Sequence, residues 1–284
     1  MDKICDMHTH TIYSDGTLTP RELIDEAIGA GLSALALTDH NTVEGLPEFI
    51  SAASGKEIEI VLGSEFSVDY NGQELHLLAL FIDQKHFTKI SALMTDVMKR
   101  KQECNRDLVK SLTRAGLSLD YDEITAGTPS GKINRAHVAE AMIKKGYVSS
   151  LEEAFSLYLH PSAGYYREPK LINVFEMIDF IQSIGAVSVL AHPFLQLSEQ
   201  KMVEFLPKAK AAGLDGIECY YSKYDEATTA TSLRLTDEFG LLKSGGSDYH
   251  GARKPGIIIG SGKGNLRIPY EWYLRLKERA KQTP

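Results

Sequence analysis

The chain has 284 residues and a formal net charge of −7 at pH 7, with 31 lysines and arginines against 38 aspartates and glutamates. This length suffices for the buried core of one large α/β domain, or of one domain with an insertion. The negative charge argues against duplex nucleic acid as the natural partner, although it leaves room for a nucleotide or a short oligonucleotide. Because the apolar runs are too short to span a membrane and the N-terminus carries no signal-peptide pattern, we expect a cytoplasmic protein without membrane attachment.

Apolar runs alternate with helical patterns through the first part of the chain. The predicted strands cover residues 3–7, 32–37 and 58–62, and the predicted helices begin at Thr19-Pro20 and near Val43. Polar side chains follow each of these strands: His8 and His10 the first, Asp39 and His40 the second, and Glu65 the third. Cys5 lies within the first apolar run, and we expect a reduced thiol that fills the core.

A hairpin is predicted by Asn71-Gly72, which lies between two alternating apolar runs. This dipeptide is the strongest two-residue hairpin signal. If it forms the turn, Tyr70 pairs with Gln73, and Glu65 falls diagonally opposite His76 on the same face of the ribbon. A shared metal ion could bridge that separation.

The middle of the chain is predicted to be helical, without a strand-like run. We therefore expect a barrel domain of residues 1–86 and 165–284, interrupted by a helical insertion of residues 87–164. Within the insertion, the segment from Gly131 to His137 opens a helix. Free backbone N–H groups and nearby cations there would suit a phosphate, and a merely capped, solvated helix start is the alternative.

Strands and helices alternate again in the last third of the chain. The predicted strands cover residues 186–190, 216–220, 241–243 and 257–259, and the predicted helices cover residues 174–184, 199–212, 225–239 and 270–281. His192 follows the first of these strands, and Asp248 and His250 follow the third. Such alternation predicts an α/β fold with parallel strands. In a barrel the C-terminal ends of all strands meet at one rim, so these polar residues would converge.

The converging residues suggest a metal site. His8 and His10 are two apart, so on a strand both side chains leave the same face. A pair of this kind alone is more typical of an exposed strand facing solvent. Imidazole nitrogen and carboxylate oxygen together, however, are ligands that manganese, iron and zinc accept alike.

The motifs resemble the polymerase and histidinol phosphatase (PHP) family of metal-dependent phosphoesterases. They are His8-Thr9-His10, Ser14-Asp15-Gly16, Thr38-Asp39-His40, Gly63-Ser64-Glu65, Glu74-Leu75-His76, Ala191-His192-Pro193 and Ser247-Asp248-Tyr249-His250-Gly251. The resemblance runs from the first strand to Gly260 in the expected order. It implies the PHP fold, a distorted (βα)7 barrel with a helical insertion.

The resemblance also implies a site for three divalent metal ions of manganese, iron or zinc. The implied ligands are His8, His10, Glu65 and Asp248 for one ion, Glu65, His76 and His192 for a second, and Asp15, His40 and His250 for a third. The implied catalytic residues are Asp15, His40, Glu65 and His250. Some relatives have a histidine in place of Asp15, and an aspartate there points to enzymes acting on nucleoside bisphosphates. Asp39 is expected to orient a ligand or to support His40.

The implied activity is that of a phosphoric ester hydrolase. Attack of a metal-bridging hydroxide would remove the 3′-phosphate of a nucleoside 3′,5′-bisphosphate. The insertion would bind the substrate through Arg100, Asn105, Asn134 and Arg135. Cys104 departs from the family pattern there, because a basic residue is expected at that position.

Other functions are weighed against this one. Within enzymes, the alternatives are a phosphatase for another small phosphorylated substrate, and a phosphodiesterase or 5′-3′ exoribonuclease. A non-catalytic, metal-stabilised binding module is disfavoured, because all nine implied ligand positions hold competent residues. An amidohydrolase-like enzyme is disfavoured because a lysine at the required strand end is missing from the sequence.

Overall fold

The computed structural model describes residues 3–128 and 131–282. Residues 1–2, 129–130 and 283–284, which the predicted domains include, lie outside the described part. The strands are β1 (Cys5–Asp6), β2 (Ala34–Leu37), β3 (Glu59–Tyr70), β4 (Gln73–Leu80), β5 (Ile172–Asn173), β6 (Val187–Ala191), β7 (Gly216–Tyr221) and β8 (Leu242–Gly246). They form one sheet in the order β1-β2-β3-β4-β6-β7-β8, and β5 pairs with the outer end of β3.

The helices follow the predicted alternation. They are α1 (Pro20–Gly29), α2 (Leu46–Ala53), α3 (Phe87–Arg114), α4 (Tyr121–Ala126), α5 (Arg135–Lys144), α6 (Leu151–Ala154), α7 (Val174–Ser183), α8 (Glu199–Ala211), α9 (Glu226–Glu238) and α10 (Tyr270–Gln282). The start of α1 is confirmed, because Thr19 and Glu22 form a reciprocal capping box in which each side chain accepts a hydrogen bond from the other residue's backbone N–H.

The first and last strands of the sheet meet and nearly close a barrel. Met7 N donates to the carbonyl of Gly245 at 3.1 Å, and Asp248 N donates to the carbonyl of His8 at 2.9 Å. The distorted (βα)7 barrel is thereby confirmed. Its pairs are parallel except those of β4, which runs antiparallel to both β3 and β6. The turn at Asn71 and Gly72 causes this reversal, and it brings the first residues of β4 to the rim where the parallel strands end.

Two sequence-based boundaries are corrected by the structure. Residues 257–259 were predicted as a strand, but in the described chain they take part only in an isolated bridge between Ile258 and Gly262. Gly256 and Gly260, with φ of +86° and +73°, turn the backbone on both sides of this segment. β3 continues through Glu65 to Tyr70, well beyond the predicted end at residue 62.

Backbone contacts divide the chain into two compact units, one holding residues up to Ser91 and from Leu171 onwards, the other Ala92–Lys170. Each unit has its own apolar cluster. The first unit's cluster combines alternate side chains of the strands with residues on and before α10, among them Met7, Ala36, Leu78, Val189 and Leu276. The second unit's cluster includes Leu108, Leu112, Val138, Met142 and Leu159. Each unit can therefore bury its own core.

Candidate metal centre

Glu65, on β3, is the fully buried centre of the predicted site. Its Oε2 lies 3.2 Å from Nε2 of His8, 3.2 Å from Nε2 of His10 and 3.0 Å from Nδ1 of His40. These three histidines follow β1 and β2, the strands that precede β3 in the sheet. One carboxylate oxygen thus faces three imidazole nitrogens from neighbouring strand ends.

The second oxygen of Glu65 faces histidines on β4 and after β6. Its Oε1 lies 2.8 Å from Nδ1 of His76 and 3.0 Å from Nε2 of His192. The predicted register is confirmed, because Ser67 pairs with His76 and Glu65 with Leu78, which makes His76 the diagonal neighbour of Glu65.

Two aspartates complete the predicted set. Asp248 Oδ1 lies 3.3 Å from Nε2 of His10 and 3.4 Å from Nδ1 of His250. Asp15 Oδ1 lies 3.2 Å from Nε2 of His250, and its Oδ2 lies 3.8 Å from Nε2 of His40. The structure therefore brings all nine sequence-predicted metal ligands together at one rim of the barrel.

The arrangement of these atoms fits divalent cations. Three overlapping groups have potential ligand atoms within 4.8 Å of one another: His8, His10 and Glu65; His40, Glu65 and His76; and His10, Asp15, His40 and His250. Within residues 3–128 and 131–282, four central atoms are buried without a hydrogen-bond partner: His8 Nε2, His10 Nε2, His40 Nδ1 and Glu65 Oε2. Buried polar atoms are normally satisfied, so unpaired nitrogen and oxygen atoms that face one another suit a bound cation.

The electrostatics of the site differ from one proposed ligand to the next. Burial alone would raise the pKa of Glu65, but the charges of His40, His8 and His76 hold that pKa well below its usual range. Burial lowers the pKa of His40 to about 3, although Glu65 and Asp15 oppose the shift. Burial opposes the charge of the other imidazoles, but the surrounding carboxylates raise the pKa of His8 and bring the pKa values of His10 and His76 to about 9. Metal binds an ionised carboxylate and a neutral imidazole, so a cation would displace the protons of these three histidines.

The carboxylate of Asp39 contacts the loop that leads to Asp15. It accepts hydrogen bonds from Thr11 N at 2.8 Å, Thr11 Oγ1 at 2.5 Å and Ser14 Oγ at 2.5 Å. These bonds hold the loop immediately before Asp15. Of the two roles expected for Asp39, the contacts agree with the orienting of a proposed ligand, which here is Asp15.

Sequence reasoning missed an outer layer of contacts to the site. Oε1 of Glu218, on β7, lies 3.0 Å from Nδ1 of His8. Tyr221 OH donates to Asp248 Oδ2 at 2.9 Å, and Lys254 Nζ lies 2.6 Å from the same oxygen. Glu218 could have been found from its place in an otherwise apolar strand, because a buried charge requires partners. Lys254, in a loop rich in glycine and proline, carries no such signal.

In the second unit, three of the predicted substrate residues, Asn105, Asn134 and Arg135, lie at the start of α5. Asn134 caps this helix, accepting from Ala136 N at 3.0 Å and His137 N at 3.3 Å. Asn105 is buried and donates to the carbonyl of Ile133 at 2.8 Å. The Asn134 cap agrees with the plainer alternative, a capped helix start.

The two predicted substrate arginines also lie in the second unit. The guanidinium of Arg135 lies 4.6 Å from the centre of the Tyr166 ring. Arg100, on α3, has a buried Nε without a hydrogen-bond partner in the part of the chain that the structure describes.

Comparison with known proteins identifies the family. A family model described as the PHP domain matches residues 6–167, which is more than half of the chain. The chain belongs to the PHP family. A 5′-3′ exoribonuclease from Haemophilus influenzae is 32% identical over 251 residues, covering 88% of this chain and 91% of the relative. A 3′,5′-nucleoside bisphosphate phosphatase from Chromobacterium violaceum is 29% identical over 257 residues, covering 90% of each.

Solved PHP-like structures have the same fold. A protein described as a metal-dependent phosphoesterase from Bifidobacterium adolescentis superposes with a TM-score of 0.86 at 26% identity, covering 98% of this chain and 96% of that one. A Chromobacterium violaceum protein named as an amidohydrolase, with sulfate bound and no metal, gives 0.87 at 28% identity, covering 97% and 96%. This PHP-family chain is therefore a metal-dependent phosphoesterase and a phosphoric ester hydrolase. None of the helices in the described ranges is long and apolar enough to cross a membrane.

Proposed function

We propose that this enzyme removes the 3′-phosphate from nucleoside 3′,5′-bisphosphates. The observation that carries the proposal is the convergence of eight imidazole and carboxylate side chains around the carboxylate of Glu65, with unpaired atoms facing one another. Support for the substrate comes from the Chromobacterium violaceum relative, a 3′,5′-nucleoside bisphosphate phosphatase that matches this chain over 90% of its length. Asp15, rather than a histidine, at the third implied metal position favours the same substrate class.

The metal ligands proposed for three divalent ions of manganese, iron or zinc are His8, His10, Asp15, His40, Glu65, His76, His192, Asp248 and His250. Bound ions would supply Lewis acidity, which lowers the pKa of water and neutralises phosphoryl oxygens. Glu65 would link the histidines that follow β1 and β2 to those on β4 and after β6, because each of its oxygens faces a different set.

A nucleophile from the protein is not required in this mechanism. Cys5 and Cys219 are fully buried, and burial raises the pKa of both thiols, so neither is poised to attack phosphorus. Asp15, His40, Glu65 and His250 are the groups proposed to act closest to the chemistry. Water is then the nucleophile, as hydrolysis requires.

Substrate binding is proposed to involve Arg100, Asn105, Asn134 and Arg135 of the second unit. Arginine is well suited to phosphate because its planar guanidinium donates two parallel hydrogen bonds. Asn134 and Asn105 would hold the start of α5, and with it the backbone of Arg135, in a fixed conformation.

Hydrolysis of adenosine 3′,5′-bisphosphate by the Mn²⁺-loaded protein tests the proposal. The expected products are inorganic phosphate and adenosine 5′-monophosphate, and the metal-stripped protein should release neither. Histidinol phosphate and sugar phosphates, assayed in parallel, identify other phosphatase activities. Turnover of either of these without turnover of the bisphosphate would contradict the proposed substrate.

A second candidate function is 5′-3′ exoribonuclease activity. The Haemophilus influenzae relative with this name is 32% identical over 88% of the present chain. A short 5′-phosphorylated RNA oligomer tests it, because stepwise release of mononucleotides from the 5′ end separates an exonuclease from a phosphatase. A non-catalytic module would bind Mn²⁺ and hydrolyse none of these substrates.

A further inference from the structure

Glu218 contacts two of the proposed metal ligands at once. It lies within β7 and is fully buried. Its Oε1 is 3.0 Å from Nδ1 of His8, and its Oε2 accepts a hydrogen bond from the backbone N of His192 at 2.8 Å. His8 follows β1 and His192 follows β6, so one carboxylate connects residues at two other strand ends.

The contact with His8 determines which ring nitrogen carries the proton. Nε2 of His8 faces the site, 3.2 Å from Glu65 Oε2 and 3.7 Å from Asp248 Oδ1. An ionised carboxylate oxygen only accepts hydrogen bonds, so Nδ1 of His8 is the donor to Glu218. Nε2 is then the nitrogen left to bind a cation, and loss of its proton gives the form that a metal ion needs.

The contact with His192 supports an unfavourable backbone conformation. His192 has φ of +29° and ψ of 49°, in a region that side chains other than glycine seldom adopt. In this conformation its Nε2 lies 3.0 Å from Glu65 Oε1. The hydrogen bond from His192 N to Glu218 holds the backbone at the residue where the strain occurs.

We propose that Glu218 is a positioning residue for metal binding, which keeps the proton of His8 on Nδ1 and holds the backbone of His192. This inference rests on the metal site of the proposed function and extends it to a residue outside the family motifs.

Glu218→Gln is the sharpest variant because it keeps the shape of the side chain while it replaces one acceptor oxygen and the negative charge with a neutral NH₂ donor. Glutamine offers one acceptor oxygen and one donor NH₂ where glutamate offers two acceptor oxygens. If the NH₂ faces His8, Nδ1 must accept and the proton moves to Nε2, where it blocks metal binding. If the NH₂ faces His192, two N–H groups oppose each other. Either orientation disturbs one proposed ligand while preserving the shape of the side chain.

Binding of Mn²⁺ to the metal-stripped protein, followed by the electron paramagnetic resonance signal of free Mn²⁺, is the primary measurement. Changing an outer contact to a metal ligand typically costs about 10–100-fold in affinity. We expect Glu218→Gln to weaken at least one Mn²⁺ site by that factor. Circular dichroism and thermal melts of the metal-free proteins check that each variant is folded.

Asp215→Asn is the matched control. Asp215 lies directly before β7, is buried, and accepts from the backbone N of Ser188 at 2.9 Å and from Arg279 Nε at 2.7 Å. These contacts lie outside the proposed ligand set, so Mn²⁺ affinity should stay within about twofold of wild type. Equal Mn²⁺ affinity in wild type and Glu218→Gln would overturn the inference, and so would equal losses in both variants. A wild-type protein that binds no Mn²⁺ would instead refute the metal site of the proposed function.

A second measurement does not depend on the folding of Glu218→Gln. Nuclear magnetic resonance of the Zn²⁺-loaded wild-type protein, with ¹⁵N-labelled histidine, distinguishes the two ring nitrogens. The His8 signals, assigned by their loss in His8→Gln, should show a proton on Nδ1 and zinc on Nε2. The reverse assignment would overturn the role of Glu218.

Discussion

Glu65 and His76 lie diagonally across the hairpin of β3 and β4, with Oε1 of Glu65 2.8 Å from Nδ1 of His76. The turn at Asn71 and Gly72 produces this relationship, because both residues adopt the positive φ that a tight hairpin requires, +53° and +81°. A register shift of one residue would place His76 on the opposite face. The hairpin therefore places His76, on the antiparallel strand β4, beside proposed ligands that follow the parallel strands.

Glu65→Gln is predicted to abolish metal binding and phosphoester hydrolysis. Since changes to outer contacts of metal ligands already cost about 10–100-fold, loss of the central carboxylate should lower turnover by more than about 100-fold. Mn²⁺ content and phosphate release measure the two effects. Glu74→Gln is the control, because it changes a carboxylate that contacts the same histidine on the other ring nitrogen. Glu74 Oε1 lies 3.5 Å from Nε2 of His76. Comparable activity in the two variants would contradict a central role for Glu65.

Tyr221→Phe is predicted to lower turnover by about 10–100-fold, because a hydrogen bond to the charged Asp248 carboxylate, worth roughly 1.5–3 kcal/mol, is lost. Tyr221 OH donates to Asp248 Oδ2, which leaves Oδ1 facing His10 and His250. Tyr224→Phe is the matched control, because the Tyr224 hydroxyl accepts from Phe194 N at 2.9 Å and its ring lies 5.2 Å from that of Tyr221. Steady-state kinetics measure the loss of turnover in each variant, and a thermal melt measures any loss of stability. An equal loss of turnover in Tyr224→Phe would assign the effect to packing.

Most of the inner ligands could be predicted because they follow apolar strand runs or a hairpin signal, whereas Asp15 was implied only by the resemblance to the PHP family. His192 follows an apolar run, and the position of His76 follows from the turn residues between it and Glu65. Glu218 and His8, by contrast, are separated by 210 positions and meet only because β1 and β7 belong to one nearly closed sheet. A contact of this kind depends on how the barrel closes, which local periodicity does not encode.

The incorrect strand at residues 257–259 has a related cause. Three successive isoleucines have high strand propensity, but propensity is overridden where flanking backbone turns away from a neighbouring strand. Ile258 and Gly262 instead bond to each other, each donating its N–H to the other's carbonyl at 2.8 Å. The short strand β5 was missed because two residues carry no periodic signal.

Thiol reactivity is predicted to differ among the three cysteines. Burial raises the pKa of Cys219 to about 11 and raises the pKa of Cys5 further, so both remain protonated at pH 8 and inaccessible to reagent. Cys104 is half-buried. A disulfide reagent such as dithiobis(nitrobenzoate) should therefore titrate about one thiol in the native protein and all three after unfolding. Cys104→Ser should remove the native reaction, and rapid reaction of two or more native thiols would contradict this burial pattern.

Arg135→Ala is predicted to raise KM for adenosine 3′,5′-bisphosphate by about 10–100-fold, because hydrogen bonds to a charged phosphate contribute about 1.5–3 kcal/mol. Mn²⁺ binding should be unchanged, because Arg135 is outside the proposed ligand set. Arg106→Ala is the matched control, because both arginines belong to the second unit and both lie over a tyrosine ring. The Arg106 guanidinium lies 4.0 Å from the centre of the Tyr121 ring, and the Arg135 guanidinium lies 4.6 Å from the centre of the Tyr166 ring. Equal KM increases in the two variants would show that loss of arginine–tyrosine packing disturbs the unit. An increase confined to Arg135→Ala, partly restored in Arg135→Lys, would instead identify the charge of Arg135 as the group that binds substrate.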